Sequence, residues 1–152
     1  MGGQGGDVGK DWSFENSIEC PVGRDFAWQF WTDVSNWKLD SDVESVELNG
    51  PFAEGSEGVT VTRSSGRIGW RLTEVRPGEL AVVEIPLPGG VGRFHWSFDD
   101  LGAHTRISQR VTLTTEQTSL IDAVAPALQE GIPGGMRRLA ESMTKAAGSI
   151  SI

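Results

Sequence analysis

Few residues in this sequence have both the chemical type and the spacing that catalysis or metal binding requires. Its histidines are His95 and His104. In the hairpin that the pattern predicts, His95 lies opposite Ser108 and His104 lies opposite Asp99, so the two imidazoles do not face each other. Because a zinc site needs several ligands that converge on one point, we expect no bound metal and no cofactor.

The other candidate residues each have two interpretations. Arg63 continues the inward face of a predicted strand. Its guanidinium pairs with a carboxylate or enolate of a ligand in one interpretation. In the other, its methylenes lie along the apolar surface and the guanidinium reaches solvent. Gln109 shares a face with aromatic residues and either contacts a ligand or bonds to backbone at the rim. Glu74 is the one candidate base, or else a solvated or ion-paired carboxylate; no other catalytic residue is identified. The default interpretation of Asn16 is an amide that bonds to neighbouring backbone, and that of Cys20 is an inert, packed thiol.

Composition limits the class of partner. The 152 residues suit one domain at 11–150 after a Gly-rich, disordered tail at 1–10, and the formal net charge is −8. Nucleic acids and anionic membranes attract clustered Lys and Arg, so neither is an expected partner. No run approaches the roughly 20 apolar residues of a membrane span, and the start does not read as a secretion signal. We therefore expect a cytoplasmic protein without membrane insertion.

The hydrophobic pattern changes its period along the chain. Residues 12–20 alternate like a strand, and residues 24–34 then follow a helical period. Between residues 43 and 115, strand-like segments are separated by turn residues, which is typical of antiparallel hairpins in sequence. A helical period returns in the last third, where Thr118 or Ser119 can cap the helix.

The turn residues predict a strand register. In this prediction Ser65-Gly66 and Pro77-Gly78 are two-residue loops, and a turn near Leu101-Gly102 closes the last hairpin. Opposed residues of an antiparallel pair share a face, so apolar residues collect on one side of the sheet and charged residues on the other. The predicted opposed pairs are Val59 with Leu72, Val61 with Trp70, Leu72 with Val83, Trp70 with Ile85, Arg71 with Glu84, Trp96 with Ile107 and Phe94 with Gln109.

Several motifs together resemble one protein superfamily. An aromatic strand ends at Pro21, and a helix with Trp28 and either Phe30 or Trp31 follows. The remaining motif residues are Asp33, Trp37, the G-x-F-x-x-G-S element of Gly50, Phe52, Gly55 and Ser56, the segment Trp70–Leu80, and the last hairpin RFHWSFDDLGAHTRISQRVTL. In this order they resemble the START / polyketide cyclase–dehydrase / pollen-allergen superfamily, also called SRPBCC, over roughly residues 12–147.

Two segments depart from the pattern of that superfamily. The segment after Trp37 reads KLDSDVES and lacks the second Trp and the Pro that many relatives carry. In the last helix, residues 131–135 read GIPGG and predict a break or sharp kink, because proline removes an intrahelical hydrogen bond and clashes with the preceding turn.

The resemblance implies an α+β helix-grip fold. A curved antiparallel sheet of six to seven strands would wrap around a long C-terminal helix, with two short helices after the first strand. The residues lead to the same arrangement, because the apolar sheet face needs a cover that only the amphipathic C-terminal stretch supplies. The resemblance also implies a cavity between sheet and helix; a filled core is the alternative, since protein interiors normally pack densely.

The expected function is the binding of a hydrophobic small molecule, such as a lipid or polyketide, in that cavity. The alternative is a cyclase- or dehydratase-like enzyme in which Arg63, Gln109 and Glu74 form the polar set. Two further possibilities stay open: the chain is a protein-interaction domain with an exposed apolar patch, or it forms a homodimer. The predicted ligand-binding residues are Asn16, Phe30, Val61, Arg63, Trp70, Leu72, Val83, Ile85, Phe94, Trp96, Gln109, Met136, Leu139 and Met143.

Overall fold

A seven-stranded antiparallel sheet carries a long C-terminal helix on one of its faces. The computed structural model describes residues 10–39, 43–64 and 66–150, so the predicted tail lies outside the described residues except for Lys10. The strands are β1 (Lys10–Cys20), β2 (Val43–Asn49), β3 (Glu57–Thr62), β4 (Gly66–Arg76), β5 (Leu80–Leu87), β6 (Gly90–Asp100) and β7 (Thr105–Thr115). The helices are α1 (Arg24–Thr32), a 3₁₀ helix (Val34–Leu39) and α2 (Thr118–Ile150). The predicted α+β helix-grip architecture is confirmed, with the strands in the order β1-β7-β6-β5-β4-β3-β2.

The face of the sheet under α2, here called the inner face, holds the core. Along β7 every second residue from Thr105 to Thr115 is buried, as expected of a strand with one covered side. The buried residues of α2 recur every three, four or seven positions, which is one helix face. They are Ile121, Ala125, Ile132, Met136, Ala140 and Met143.

The β3–β4 hairpin differs from the predicted register by three residues. Thr62 pairs with Gly66, so three residues connect the strands instead of two. Gly66 has a φ of +72°, a left-handed conformation that glycine adopts without strain. This residue can therefore end the turn and begin β4. An odd shift exchanges the faces of one strand: Val61 pairs with Arg67 on the outer face, whereas Trp70 pairs with Gly58 on the inner face.

The β6–β7 hairpin differs from the predicted register by two residues. Residues 101–104 form the connection, where the amide of Leu101 donates to the carbonyl of His104. Phe98 therefore pairs with Ile107, and Trp96 with Gln109. Because the shift is even, every side chain of this hairpin keeps its predicted face.

The β4–β5 hairpin agrees with the prediction at two pairs that the structure records. Leu72 pairs with Val83, and Arg71 pairs with Glu84 across an ion pair of 3.7 Å. A bulge between Leu72 and Glu74 then shifts the register by one residue. Glu74 consequently pairs with Val82 on the outer face.

Helix α2 runs without a break from Thr118 to Ile150, so the predicted break at residues 131–135 is wrong. Pro126 and Pro133 both lie inside it. Ile132 and Met136 are buried on either side of residues 133–135, and this packing holds the helix where its intrinsic propensity is poor. None of the helices in the described part of the chain combines the length and apolar character needed to cross a bilayer.

The pairing of Gly58 with Trp70 gives a direct test of the corrected register. A Cβ at Gly58 would overlap the indole of Trp70, whereas a Cβ at Gly69, on the other face, meets no atom within 4 Å. We expect Gly58→Ala to lower the free energy of unfolding by about 1–3 kcal/mol through overpacking. Gly69→Ala should leave it within about 0.5 kcal/mol of the wild-type value or raise it slightly. Urea denaturation of both variants measures the difference, and equal effects would contradict this register.

Candidate functional site

A cavity of about 450 Å³ lies between the inner face of the sheet and α2. Strands β2 to β7 form its floor, α1 and the 3₁₀ helix close one side, and α2 forms the roof. Most of the lining is aromatic or aliphatic. Its apolar side chains are Trp31, Trp37, Val43, Ile68, Trp70, Val83, Ile85, Phe94, Trp96, Ala127, Leu128, Ile132, Met136 and Leu139.

Tryptophan rings make up much of one wall of this cavity. The ring centroids of Trp31 and Trp96 are 5.1 Å apart, as are those of Trp37 and Trp70. The indole N–H of Trp37 donates to the carbonyl of Trp31 at 2.7 Å, and that of Trp70 donates to Oγ1 of Thr60 at 2.9 Å. Because these two N–H groups are already paired, both indoles offer the cavity mainly ring surface.

The roof of the cavity contains glycines where a helix usually presents side chains. Gly131 and Gly135 lie on the same stripe of α2 as Leu128 and Leu139, and all four line the cavity. A Cβ at Gly131 would meet no atom within 4 Å, and one at Gly135 would come no nearer than 3.8 Å to the guanidinium of Arg138. The open volume therefore depends on two positions of α2 that have no side chain.

Polar groups are few among the described residues that line the cavity, namely Asn36, Thr60, Gln109, Arg138 and Ser142. Arg138 is the only ionisable residue among them. The Asn36 amide donates to the carbonyl of Phe30 at 2.8 Å. Gln109 is 7% exposed and lies on the floor, beside Trp96 of β6 and Asn16 of β1.

The structure brings part of the predicted binding set to this cavity. The predicted residues that line it are Trp70, Val83, Ile85, Phe94, Trp96, Gln109, Met136 and Leu139. Leu72 and Met143 are fully buried in the core beside it. The Asn16 amide donates to the sulfur of Met136 at 3.3 Å, and Phe30 stacks on Phe26.

The polar set of the enzyme hypothesis does not assemble. Arg63 follows Val61 out of the end of β3, and its side chain is 61% exposed, 3.9 Å from the Glu44 carboxylate. Glu74 forms an ion pair of 3.1 Å with Arg76 and lines a separate depression on the outer face. The inward placement predicted for Val61 and Arg63 is wrong because of the three-residue shift in the β3–β4 register. Of the three polar residues, Gln109 alone reaches the cavity.

Several lining residues are not among those predicted from the sequence. Trp31 belongs to a predicted helix face, but nothing in the pattern indicates that this face closes one end of the cavity. Ile68 lies on the strand face that the prediction already places inward, whereas Thr60 reaches the cavity because it pairs with Ile68 in the actual register. The corrected hairpin, with Gly66 as its signal, identifies Thr60. For Gly131, the sequence predicts only a helix break.

Cys20 lies in the core and is completely buried. Its Sγ is 3.5 Å from the carbonyl of Ala140 and 3.8 Å from Oγ1 of Thr144, so it joins the end of β1 to α2. Burial raises the pKa of this thiol, and the contact with Thr144 offsets only part of the increase. Within the described ranges, no three side chains of the metal-ligating types form a cluster.

The burial of Cys20 makes its reactivity a measure of unfolding. Since a raised pKa keeps the thiol protonated and the core excludes reagents, we expect no reaction of native protein with Ellman's reagent at pH 8. One equivalent should react after denaturation in guanidinium chloride. Rapid reaction of the native protein would contradict the packing of β1 against α2.

The sequence matches the model of a family described as "Polyketide cyclase / dehydrase and lipid transport", and the match covers residues 11–148. The sequence has no match among the curated proteins.

Three solved structures illustrate the shared fold. The Zhui aromatase/cyclase from Streptomyces sp. R1128 is 11% identical, with a TM-score of 0.76 over 91% of this chain and 96% of that chain. Ara h 8.0201 is 14% identical, with a TM-score of 0.73 over 90% and 99%. Norcoclaurine synthase from Thalictrum flavum, in complex with dopamine and hydroxybenzaldehyde, is 12% identical, with a TM-score of 0.72 over 91% and 89%. At these identities the similarity concerns the fold alone.

Proposed function

Because the chain belongs to the polyketide cyclase / dehydrase and lipid transport family, we propose that it binds a flat, hydrophobic small molecule in the cavity under α2. The observation that carries this proposal is the cavity itself, with about 450 Å³ of space and a mainly apolar lining. Small-molecule sites in proteins have volumes of roughly 300–1,000 Å³ and combine apolar walls with a few polar groups.

The shape of the walls supports a flat ligand. Trp31, Trp37, Trp70 and Trp96 all line the cavity, and their rings pack in tilted pairs. Aromatic rings gain most from offset or edge contacts with other rings, at centroid distances of about 4.5–7 Å. A planar ligand can therefore extend the existing ring contacts into the cavity.

The geometry favours binding over chemical conversion. General acid–base catalysis requires a titratable group within hydrogen-bonding reach of the substrate. Among the described lining residues, only the guanidinium of Arg138 is ionisable, and an arginine side chain offers hydrogen-bond donors but no acceptor. The candidate base Glu74 lies on the opposite face of the sheet. We therefore infer that the protein holds or carries its ligand.

A matched pair of glycine substitutions in α2 tests the proposal. Gly135→Leu places a side chain into the cavity, whereas Gly148→Leu adds the same side chain near the end of the helix, where no atom lies within 4 Å of the Cβ. Both changes improve helix propensity by a similar amount, so both variants should fold. Binding of the neutral probe N-phenyl-1-naphthylamine is measured by energy transfer from tryptophan.

We expect the wild-type protein and Gly148→Leu to bind the probe equally, and Gly135→Leu to bind it at least tenfold more weakly. Thermal melting should show that neither variant is less stable than the wild-type protein. If Gly135→Leu binds the probe as tightly as Gly148→Leu does, the probe does not occupy this cavity and the proposal is wrong.

A further inference from the structure

The side-chain amide of Gln109 lies on the cavity floor without a hydrogen-bond partner among the residues that the structure describes. Gln109 is 93% buried, since only 7% of it is exposed, and it lines the cavity. Among the described residues, no hydrogen bond joins its amide to another group. Elsewhere at this site, the amides of Asn16 and Asn36 donate to the sulfur of Met136 and the carbonyl of Phe30.

This amide faces open space and is not sealed within the core. In the described part of the chain, the only side-chain polar atom that is fully enclosed and unpaired is Nε of Arg24. The hydrogen-bonding groups of Gln109 are therefore accessible from the cavity. A buried amide without a partner lowers the stability of a protein, whereas an apolar residue at this position would not.

We propose that Gln109 selects the ligand, so that the protein prefers flat ring compounds with a hydroxyl or carbonyl group over pure hydrocarbons of the same ring size. This inference rests on the proposed function, because it requires the cavity under α2 to be the binding site. A glutamine amide both donates and accepts hydrogen bonds, so it can pair with either group.

The surroundings of Gln109 define where that polar group sits on the ligand. Trp96 is the direct cross-strand neighbour of Gln109 on β6, and both side chains lie on the inner face. A ring that packs against Trp96 therefore brings a substituent on its own edge to the amide. Of the neighbouring inner-face residues, Phe94, Phe98 and Val111 are apolar, and the Asn16 amide on β1 already donates to the sulfur of Met136.

Two probes of nearly equal size test this selectivity in competition with N-phenyl-1-naphthylamine: naphthalene and 2-naphthol. In an apolar cavity without a polar partner, naphthalene would bind more tightly, since the hydroxyl of 2-naphthol would lose its hydrogen bonds to water. We expect the wild-type protein to bind 2-naphthol about tenfold more tightly than naphthalene.

The variant Gln109→Met keeps the length of the side chain but removes its hydrogen-bonding groups. It should still bind naphthalene with at most a twofold change, and it should lose the preference for 2-naphthol. Its melting temperature should equal or exceed that of the wild-type protein, because an unpaired buried amide is removed. Ser108→Ala is the matched control, since Ser108 is the next residue on β7 and bonds to Ser17 on the outer face at 2.8 Å.

The outcomes separate this inference from the proposed function. If the wild-type protein binds naphthalene at least as tightly as 2-naphthol, or Gln109→Met keeps the preference, Gln109 does not select the ligand although the cavity still binds rings. If N-phenyl-1-naphthylamine itself does not bind, the proposed function fails, and the inference fails with it. Loss of the preference in Ser108→Ala would also overturn the assignment to Gln109.

Discussion

The packing of the Trp31 ring is the contact on which the arrangement of the site depends. Trp31 is 3% exposed, and its ring centroid lies within 5.1–5.9 Å of those of Trp37, Phe52, Trp96 and Phe98. These partners come from the 3₁₀ helix, the loop before β3 and strand β6, so one side chain of α1 joins three separate parts of the chain. Trp37 in turn packs on Trp70 of β4. The same aromatic contacts that hold α1 on the sheet therefore form one wall of the cavity, and stability and site geometry share one cause.

The types of element could be predicted from the sequence, but in one of the three predicted hairpins the side chains of one strand were assigned to the wrong face of the sheet. Alternation along β1 and the helical period from Arg24 follow from side-chain periodicity, which does not depend on the rest of the chain. Register depends on the number of residues in each turn, and an error of one or three residues has a different consequence from an error of two. In β6–β7 the error was even, and Gln109 stayed on the inner face. In β3–β4 it was odd, so Thr60 and not Val61 lies on the inner face of β3.

The family resemblance implies the space inside the fold, but the residue pattern alone could not predict it, because the space depends on how α2 lies across the sheet. Local propensity at residues 131–135 indicated an interruption, whereas burial of Ile132 and Met136 maintains a continuous helix. The glycines that weaken the helix also leave the roof of the cavity without side chains. Intrinsic propensity and tertiary packing thus act in opposite directions over the same turns, and packing determines the structure. The open volume arises because packing keeps the glycines within a continuous helix. The propensities of the individual residues do not predict this result.

The two prolines of α2 have a consequence for how fast a guest molecule exchanges. Proline has no N–H, so the carbonyls of Asp122 and Gln129 cannot receive the usual hydrogen bonds from positions 126 and 133 of the helix. The turns that lose these bonds include Ala127 and Leu128, which lie over the cavity. Transient fraying of these turns needs less energy than separation of the sheet strands, which ladders of backbone hydrogen bonds join. The residence time of a guest would then follow local opening of this helix segment and not global unfolding, and amides near the middle of α2 would exchange faster than those of β6 and β7.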